Sequence, residues 1–243
     1  MAGHNKWSTI KNKKGKEDAK RGKVFTKIAR MIIVAVKEGG TDPEYNPALK
    51  TAIEKAKAEN MPNDNIDRAI KKAAGDADSD NFEEIVYEGY GPEGTAVMVS
   101  CLTDNRNRTA SEIRHAFDKF GGNLGQNGSV SYMFNRKGLL LIDGEDLDEE
   151  TVMMAALDAG AEDFSAEDGV YEVITEVESF SDVRDQLKDE GYEFIKAELY
   201  YLPSNYNTIQ SEDNKINMEK MIDILDDNDD VQEVYHNWDN QDE

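Results

Sequence analysis

Lys137-Gly138-Leu139-Leu140-Leu141-Ile142 reads as a buried strand, and the segments after it decide the fold. Asp148–Asp158 has helical spacing. Two short strands come next, near Ala161–Phe164 and Val170–Thr175. A second helix spans Phe180–Glu190 and a last strand spans Tyr192–Leu202. The order is β-α-β-β-α-β, the split βαβ unit. Residues 132–203 are therefore expected to form a complete domain with its own core.

The flanking segments are incomplete. Upstream, Glu84–Tyr90 and Thr95–Leu102 alternate as strands around a Gly89–Gly94 turn. Thr109–Phe120 is a helix that turns Ile113, Ala116, Phe117 and Phe120 inward, and the Gly-, Asn- and Ser-rich stretch Gly121–Ser131 is a loop. Downstream, Asn214–Asp227 is helical and Val231–Trp238 is a strand. A β-β-α piece and an α-β piece are each too small to bury a sheet, but together they make one α+β layer. The expected middle domain is thus discontinuous, 77–131 plus 204–243, with 132–203 inserted into it.

The first 76 residues have the period of helices. Val24, Phe25, Ile28, Met31, Ile32, Ala35 and Val36 share one face, with Asp18 as the expected N-cap and Gly39-Gly40 as the stop. A second helix starts at Asn46-Pro47, where proline suits the first helical position. Pro62 ends it, and Asn63 or Asp64 caps a third helix closed by Gly75. The fold class expected is α+β in three domains. An N-terminal three-helix domain, 1–76, precedes two α+β domains of ferredoxin-like or related type, the last inserted into the middle one.

Charge divides the chain differently. With 51 acidic and 28 basic side chains among 243 residues, the formal net charge is −23, which taken alone argues against a nucleic-acid partner. Residues 1–30 hold ten basic side chains and two acidic ones, residues 31–75 hold seven of each, and residues 76–243 hold 11 basic and 42 acidic. A basic arm precedes a neutral segment and an acidic body. Such asymmetry points to a tail that binds a polyanion. The candidate contacts are His4, Lys6, Trp7, Lys11, Lys13, Lys14, Lys16, Lys20, Arg21, Lys23, Lys27 and Arg30. The cations would release counterions from phosphates, and Trp7 could stack on a base or pack on the bundle. The alternative is a solvated charge run that pairs with the acidic body. The arm is rich in Lys, a point charge rather than a bidentate fork, which favours phosphate contact over base reading. A strongly acidic body is repelled by a long duplex and better tolerated beside ribosomal RNA among basic proteins. The loop Asn105-Arg106-Asn107-Arg108, with 123–131, reads either as ordinary turn chemistry around helix ends or as a secondary contact surface through Arg106 and Arg108.

Other function classes find little support. No run of about 18 apolar residues suggests a membrane span, and the start of the chain lacks the apolar core of a signal peptide. One cysteine, Cys101, excludes an intrachain disulfide, reads as a small core residue, and fits a cytoplasmic setting. His4, His115 and His236 are scattered, and no nucleophile elbow, phosphate loop or zinc-protease motif occurs. No catalytic residue, metal site, cofactor or small-molecule substrate is expected. The pairs Asp226-Asp227 and Asp229-Asp230 read as a solvated helix end. A rival reading is a protein-interaction module whose acidic body binds a basic partner.

The same residues carry a family resemblance. Met1-Ala2-Gly3-His4-Asn5-Lys6-Trp7-Ser8 with Lys13-Lys14, followed by Asp18-Ala19-Lys20-Arg21-Gly22-Lys23, resembles the opening of the YebC/PmpR family. Asn60-Met61-Pro62 with Asn65–Ile70, the Tyr87–Pro92 turn, and Gly121-Gly122-Asn123-Leu124 are similar to later motifs of that family, in order and across the whole length. The resemblance implies three domains with a discontinuous middle one, and a cytoplasmic protein without catalysis. It implies one of two roles. One is a DNA-binding transcriptional regulator. The other is a ribosome-associated translation factor that relieves stalls at proline runs, as the related mitochondrial translational activator of cytochrome c oxidase does.

Overall fold

The computed structural model describes residues 17–75, 82–167 and 169–239. In chain order its elements begin α1 (Glu17–Gly39), α2 (Pro47–Ala58), α3 (Asn63–Gly75), β1 (Glu83–Tyr90), β2 (Ala96–Thr103), α4 (Arg106–Lys119), β3 (Asn123–Leu124) and β4 (Phe134–Asp143). They continue with α5 (Glu149–Ala159), β5 (Asp163–Glu167), β6 (Val170–Thr175), α6 (Phe180–Asp189), β7 (Phe194–Pro203), α7 (Glu212–Asp226) and β8 (Val231–His236). The described residues thus form an α+β protein, with seven helices and two antiparallel four-stranded sheets. They pack as two compact units. One holds the described part of 14–130 together with Ile209–His236, and the other holds Ser131–Thr208 with the described part of 237–243.

In the first unit, α1 lays Ile28, Ile32, Ala35 and Val36 against Leu49, Ala52 and Ala56 of α2 and Ile66, Ala69 and Ala73 of α3. Asn46 joins the first two helices. Its Oδ1 accepts from Leu49 N at 3.0 Å as the N-cap of α2. Its Nδ2 donates to Ala35 O at 2.7 Å and Gly40 O at 2.8 Å, two carbonyls near the end of α1. One buried amide therefore satisfies an orphan N–H at the start of α2 and ties that start to two carbonyls near the end of α1. Gly39 is required by this packing, because a Cβ there would lie 2.7 Å from Asn46 Cγ. Helix α1 already runs from Glu17, so Asp18 lies inside it rather than capping it.

The first unit's sheet has the order β3-β1-β2-β8. The Gly89–Gly94 segment joins β1 to β2 as expected for a hairpin, with Tyr90 opposite Ala96. It has a second task. Glu93 sits at φ 52, and its carboxylate accepts from Gln210 N at 2.8 Å, Ser211 N at 3.0 Å and Asn214 Nδ2 at 2.9 Å. Ser211, the N-cap residue of α7, makes no side-chain cap of its own, so Glu93 caps that helix from across the fold. The bond from Asn214 and those from the two backbone amides hold the Glu93 carboxyl below its ordinary range.

The second unit's sheet has the order β5-β6-β4-β7, with every pairing antiparallel. The helices α5 and α6 bury Val152, Ala156, Val183 and Leu187 against Leu140, Ile142 and Val173. Gly138 permits this approach, since a Cβ there would collide with Thr175 Oγ1 and Phe180. Sequence spacing places the edge strand β5 two residues too early. Its residues, Asp163-Phe164-Ser165-Ala166-Glu167, lie on an exposed edge and carry little apolar alternation to set a boundary.

Candidate nucleic-acid interface

Several of the expected contact residues, His4, Lys6, Trp7, Lys11, Lys13, Lys14 and Lys16, lie outside the described residues. Lys20 lies in α1, and Arg21 is exposed there. The next three cations, Lys23, Lys27 and Arg30, are spaced by four and then three, so they form one stripe along the helix.

That stripe meets the end of α7. Lys23 Nζ donates to Asp227 O at 3.1 Å and lies 3.3 Å from Asp227 Oδ1, while Lys27 Nζ donates to Asp226 O at 2.8 Å. The last turn of α7 contains no basic residue. Its unsatisfied carbonyls and the negative end of its dipole are therefore met by lysines from another helix. Arg30 reaches further, donating to Asp229 O at 2.8 Å, Leu102 O at 3.2 Å and Asp230 Oδ1 at 2.5 Å. Its guanidinium also lies 5.2 Å from the centre of the Phe82 ring.

Asp230 is the centre of this arrangement. The sequence places it at a solvated helix end, but its side chain is only 4% exposed. Thr109 Oγ1 donates to Oδ2 at 2.6 Å, Arg108 Nη2 at 2.7 Å and Thr103 Oγ1 at 3.2 Å, while Arg30 holds Oδ1. Four elements, α1, β2, α4 and the turn before β8, meet on one carboxylate. Burial alone would raise its pKa, but the bonds from Thr109, Arg108 and Arg30 outweigh burial and hold it below the ordinary aspartate value. Sequence reasoning missed this hub because its partners lie 121 to 200 residues away.

The segment Asn105–Arg108, expected as a loop, is the N-cap and first turn of α4. Asn105 Oδ1 accepts from Arg108 N at 3.1 Å. Its two arginines differ. Arg108 is turned to Asp230 and, at 2.8 Å, to Asp104. Arg106 has a side chain 65% exposed and lies 3.9 Å from Glu83. Glu88 orders the neighbouring glycine-rich loop by accepting from Gly128 N at 2.8 Å and Val130 N at 2.9 Å. Tyr90 Oη donates to Ser129 O at 2.9 Å, and Asn123, Gln126 and Asn127 are left exposed.

A cleft of about 700 Å³ opens beside the hub, lined by Lys23, Arg108, Glu112, His115, Asp227 and Asn228 among others. Its charges are largely matched within the wall: Lys23 to Asp227, Arg108 to Asp104 and Asp230, and Asn228 Nδ2 to Glu112 Oε2 at 2.7 Å. This is a charge-paired seam. His115 is exposed on α4, and Cys101 is buried, its thiol pushed up to about 12 mainly by burial. Among the described residues no group of three or more His, Cys, Asp or Glu side chains converges as metal ligands, and no helix is long and apolar enough to cross a membrane.

Comparison with known proteins gives two family matches. Residues 5–76 match the TACO1/YebC protein N-terminal domain, and residues 82–238 match the TACO1/YebC second and third domain. A probable transcriptional regulatory protein of Finegoldia magna is 71% identical over 241 residues, spanning 99% of this chain and 100% of the relative. One from Acetivibrio thermocellus, with the same description, is 59% identical over 98% of this chain and 99% of the relative. The crystal structure of a conserved hypothetical protein from Aquifex aeolicus superimposes with a TM-score of 0.84 at 46% identity, covering 93% of each chain.

Proposed function

This chain belongs to the TACO1/YebC family, and we propose that it is a non-enzymatic, nucleic-acid-binding regulator of gene expression working in the cytoplasm. The observation that carries the reading is the charge asymmetry of the chain, ten basic against two acidic side chains in residues 1–30 ahead of a strongly acidic body. Lys23, Lys27 and Arg30 hold α1 to the acidic turn at 226–230. The cations upstream of them supply the phosphate contact, with Lys6, Lys11, Lys13, Lys14 and Lys16 at its centre and His4 and Trp7 beside them. Arg106, exposed on the first turn of α4, is the secondary contact. The regulatory names of the relatives support a role in gene expression and fit a protein without catalysis.

Between the two polyanions, ribosomal RNA is the better fit. Residues 76–243 carry 42 acidic against 11 basic side chains, a body that a long bare duplex repels. A Lys-rich arm offers point charges rather than bidentate forks, which favours phosphate contact over base reading. The relief of ribosomes stalled at proline runs, one of the two roles the resemblance implies, is compatible with this choice. The test measures the labelled full chain against purified ribosomes, where basic proteins surround the RNA, and against duplex DNA, by fluorescence anisotropy across a salt series. The expected result is tighter binding to the ribosomes at every salt concentration. Tighter binding to the duplex, with a sequence-specific footprint, would transfer the reading to promoter DNA.

A further inference from the structure

We infer that the outer face of helix α5 is a docking surface for a basic, amphipathic protein segment. The inference goes beyond the nucleic-acid reading and stands independently of it, because it concerns another unit of the chain. The inward face of α5 is accounted for: Val152 and Ala156 are buried in the core of that unit. Its outward face is apolar as well. Met154 is 53% exposed and Leu157 47%, three positions apart on the side opposite Val152 and Ala156. Leu147, just before the N-cap Asp148, is 38% exposed. The companion helix α6 shows what an unengaged outer face looks like here: Ser181, Asp182, Asp185, Gln186 and Asp189 are all exposed and polar. A surface helix normally keeps its apolar stripe for one side, so a second apolar strip, Met154 and Leu157 with Leu147 beside them, asks for a partner.

The surroundings fix the chemistry of that partner. Asp146, Glu149, Glu150 and Asp158 are exposed around the strip, and residues 131–208 carry 20 acidic against five basic side chains. A nucleic acid or an anionic bilayer is repelled by this rim. A second copy of the same face would bring like charges together. A helix or tail with large apolar side chains at i, i+3 or i+4 spacing and flanking Lys or Arg meets both features, the strip by burial and the rim by charge. The flexible thioether of Met154 lets the strip adapt to such a segment.

The experiment uses the full chain and a synthetic peptide of about five helical turns with leucines on one face and lysines elsewhere. A peptide of equal composition, scrambled to remove the face, serves as control. The expected result is binding of the amphipathic peptide, weakened about tenfold or more by M154S/L157S and also weakened by E150K. Melting temperature should stay close to wild type in both variants, because all three side chains are exposed. Equal affinity of wild type and M154S/L157S, or equal binding of the scrambled peptide, would overturn the inference. So would wild-type self-association abolished by M154S/L157S, which would make a second copy the occupant.

Discussion

Asp230→Ala lowers the stability of the chain by about 3–5 kcal/mol, the cost of removing one member of a buried charge pair. The measurement is the shift in urea midpoint at unchanged slope. The size reflects the groups left behind. Arg30 keeps its charge with a side chain only 16% exposed, and Thr103 and Thr109 lose a shared acceptor in a buried position. Without Asp230, one hydroxyl is free to donate to the other across 2.7 Å, and Arg108 keeps Asp104, so the loss falls chiefly on Arg30. Asp230→Asn, which keeps an acceptor of the same shape, costs less. The pH dependence has a definite sign. The folded carboxyl lies below its ordinary value, so its stabilisation is fully present above the unfolded value of about 3.9 and is lost as pH falls through the folded one. The gap between wild type and Asp230→Ala should therefore narrow in acid. A variant within about 0.5 kcal/mol of wild type at neutral pH, the range of an ordinary surface change, would contradict the hub.

Reversing Lys13, Lys14 and Lys16 to Glu weakens nucleic-acid binding by a factor on the order of 10² or more near 50 mM salt, if each lysine neutralises one phosphate. The slope of log K against log salt becomes shallower by about 2 for a single-stranded target and nearly 3 for a duplex. The hub predicts a contrast within the same arm. Lys27 is engaged by Asp226 O, so Lys27→Glu acts mainly on stability, through repulsion at the negative end of α7. An unchanged salt slope in the triple variant, with affinity retained, would remove those three lysines from the interface.

These contrasts mark where the sequence was informative. The bundle was legible because Ile28, Ile32, Ala35 and Val36 repeat at helical spacing, and because Asn46-Pro47 carries a cap and a proline together. The split βαβ unit was legible because strands and helices alternate between clear turn signals. Asn105–Arg108 reads as a loop because four polar residues carry no apolar period; only the cap geometry of Asn105 reveals a helix there. The same limit hid the fate of the basic stripe. Spacing places Lys23, Lys27 and Arg30 on one face of α1, but nothing local states that the end of α7, about 200 residues on, will meet them. The alternative of arm cations pairing with the acidic body holds for these three residues, and the nucleic-acid reading now rests on those before them. Asp230 looked like its neighbours Asp226, Asp227 and Asp229 because burial of one carboxylate in four depends wholly on tertiary partners.

Sedimentation of cell extract on a sucrose gradient, with wild type tracked beside the Lys13, Lys14 and Lys16 reversal, decides whether the arm delivers this chain to ribosomal RNA. Wild type should travel with ribosomal particles at low salt and return to the top of the gradient as salt rises, while the reversed variant stays at the top throughout. Wild type remaining at the top at low salt, or the variant travelling with the particles as wild type does, would contradict delivery by the arm.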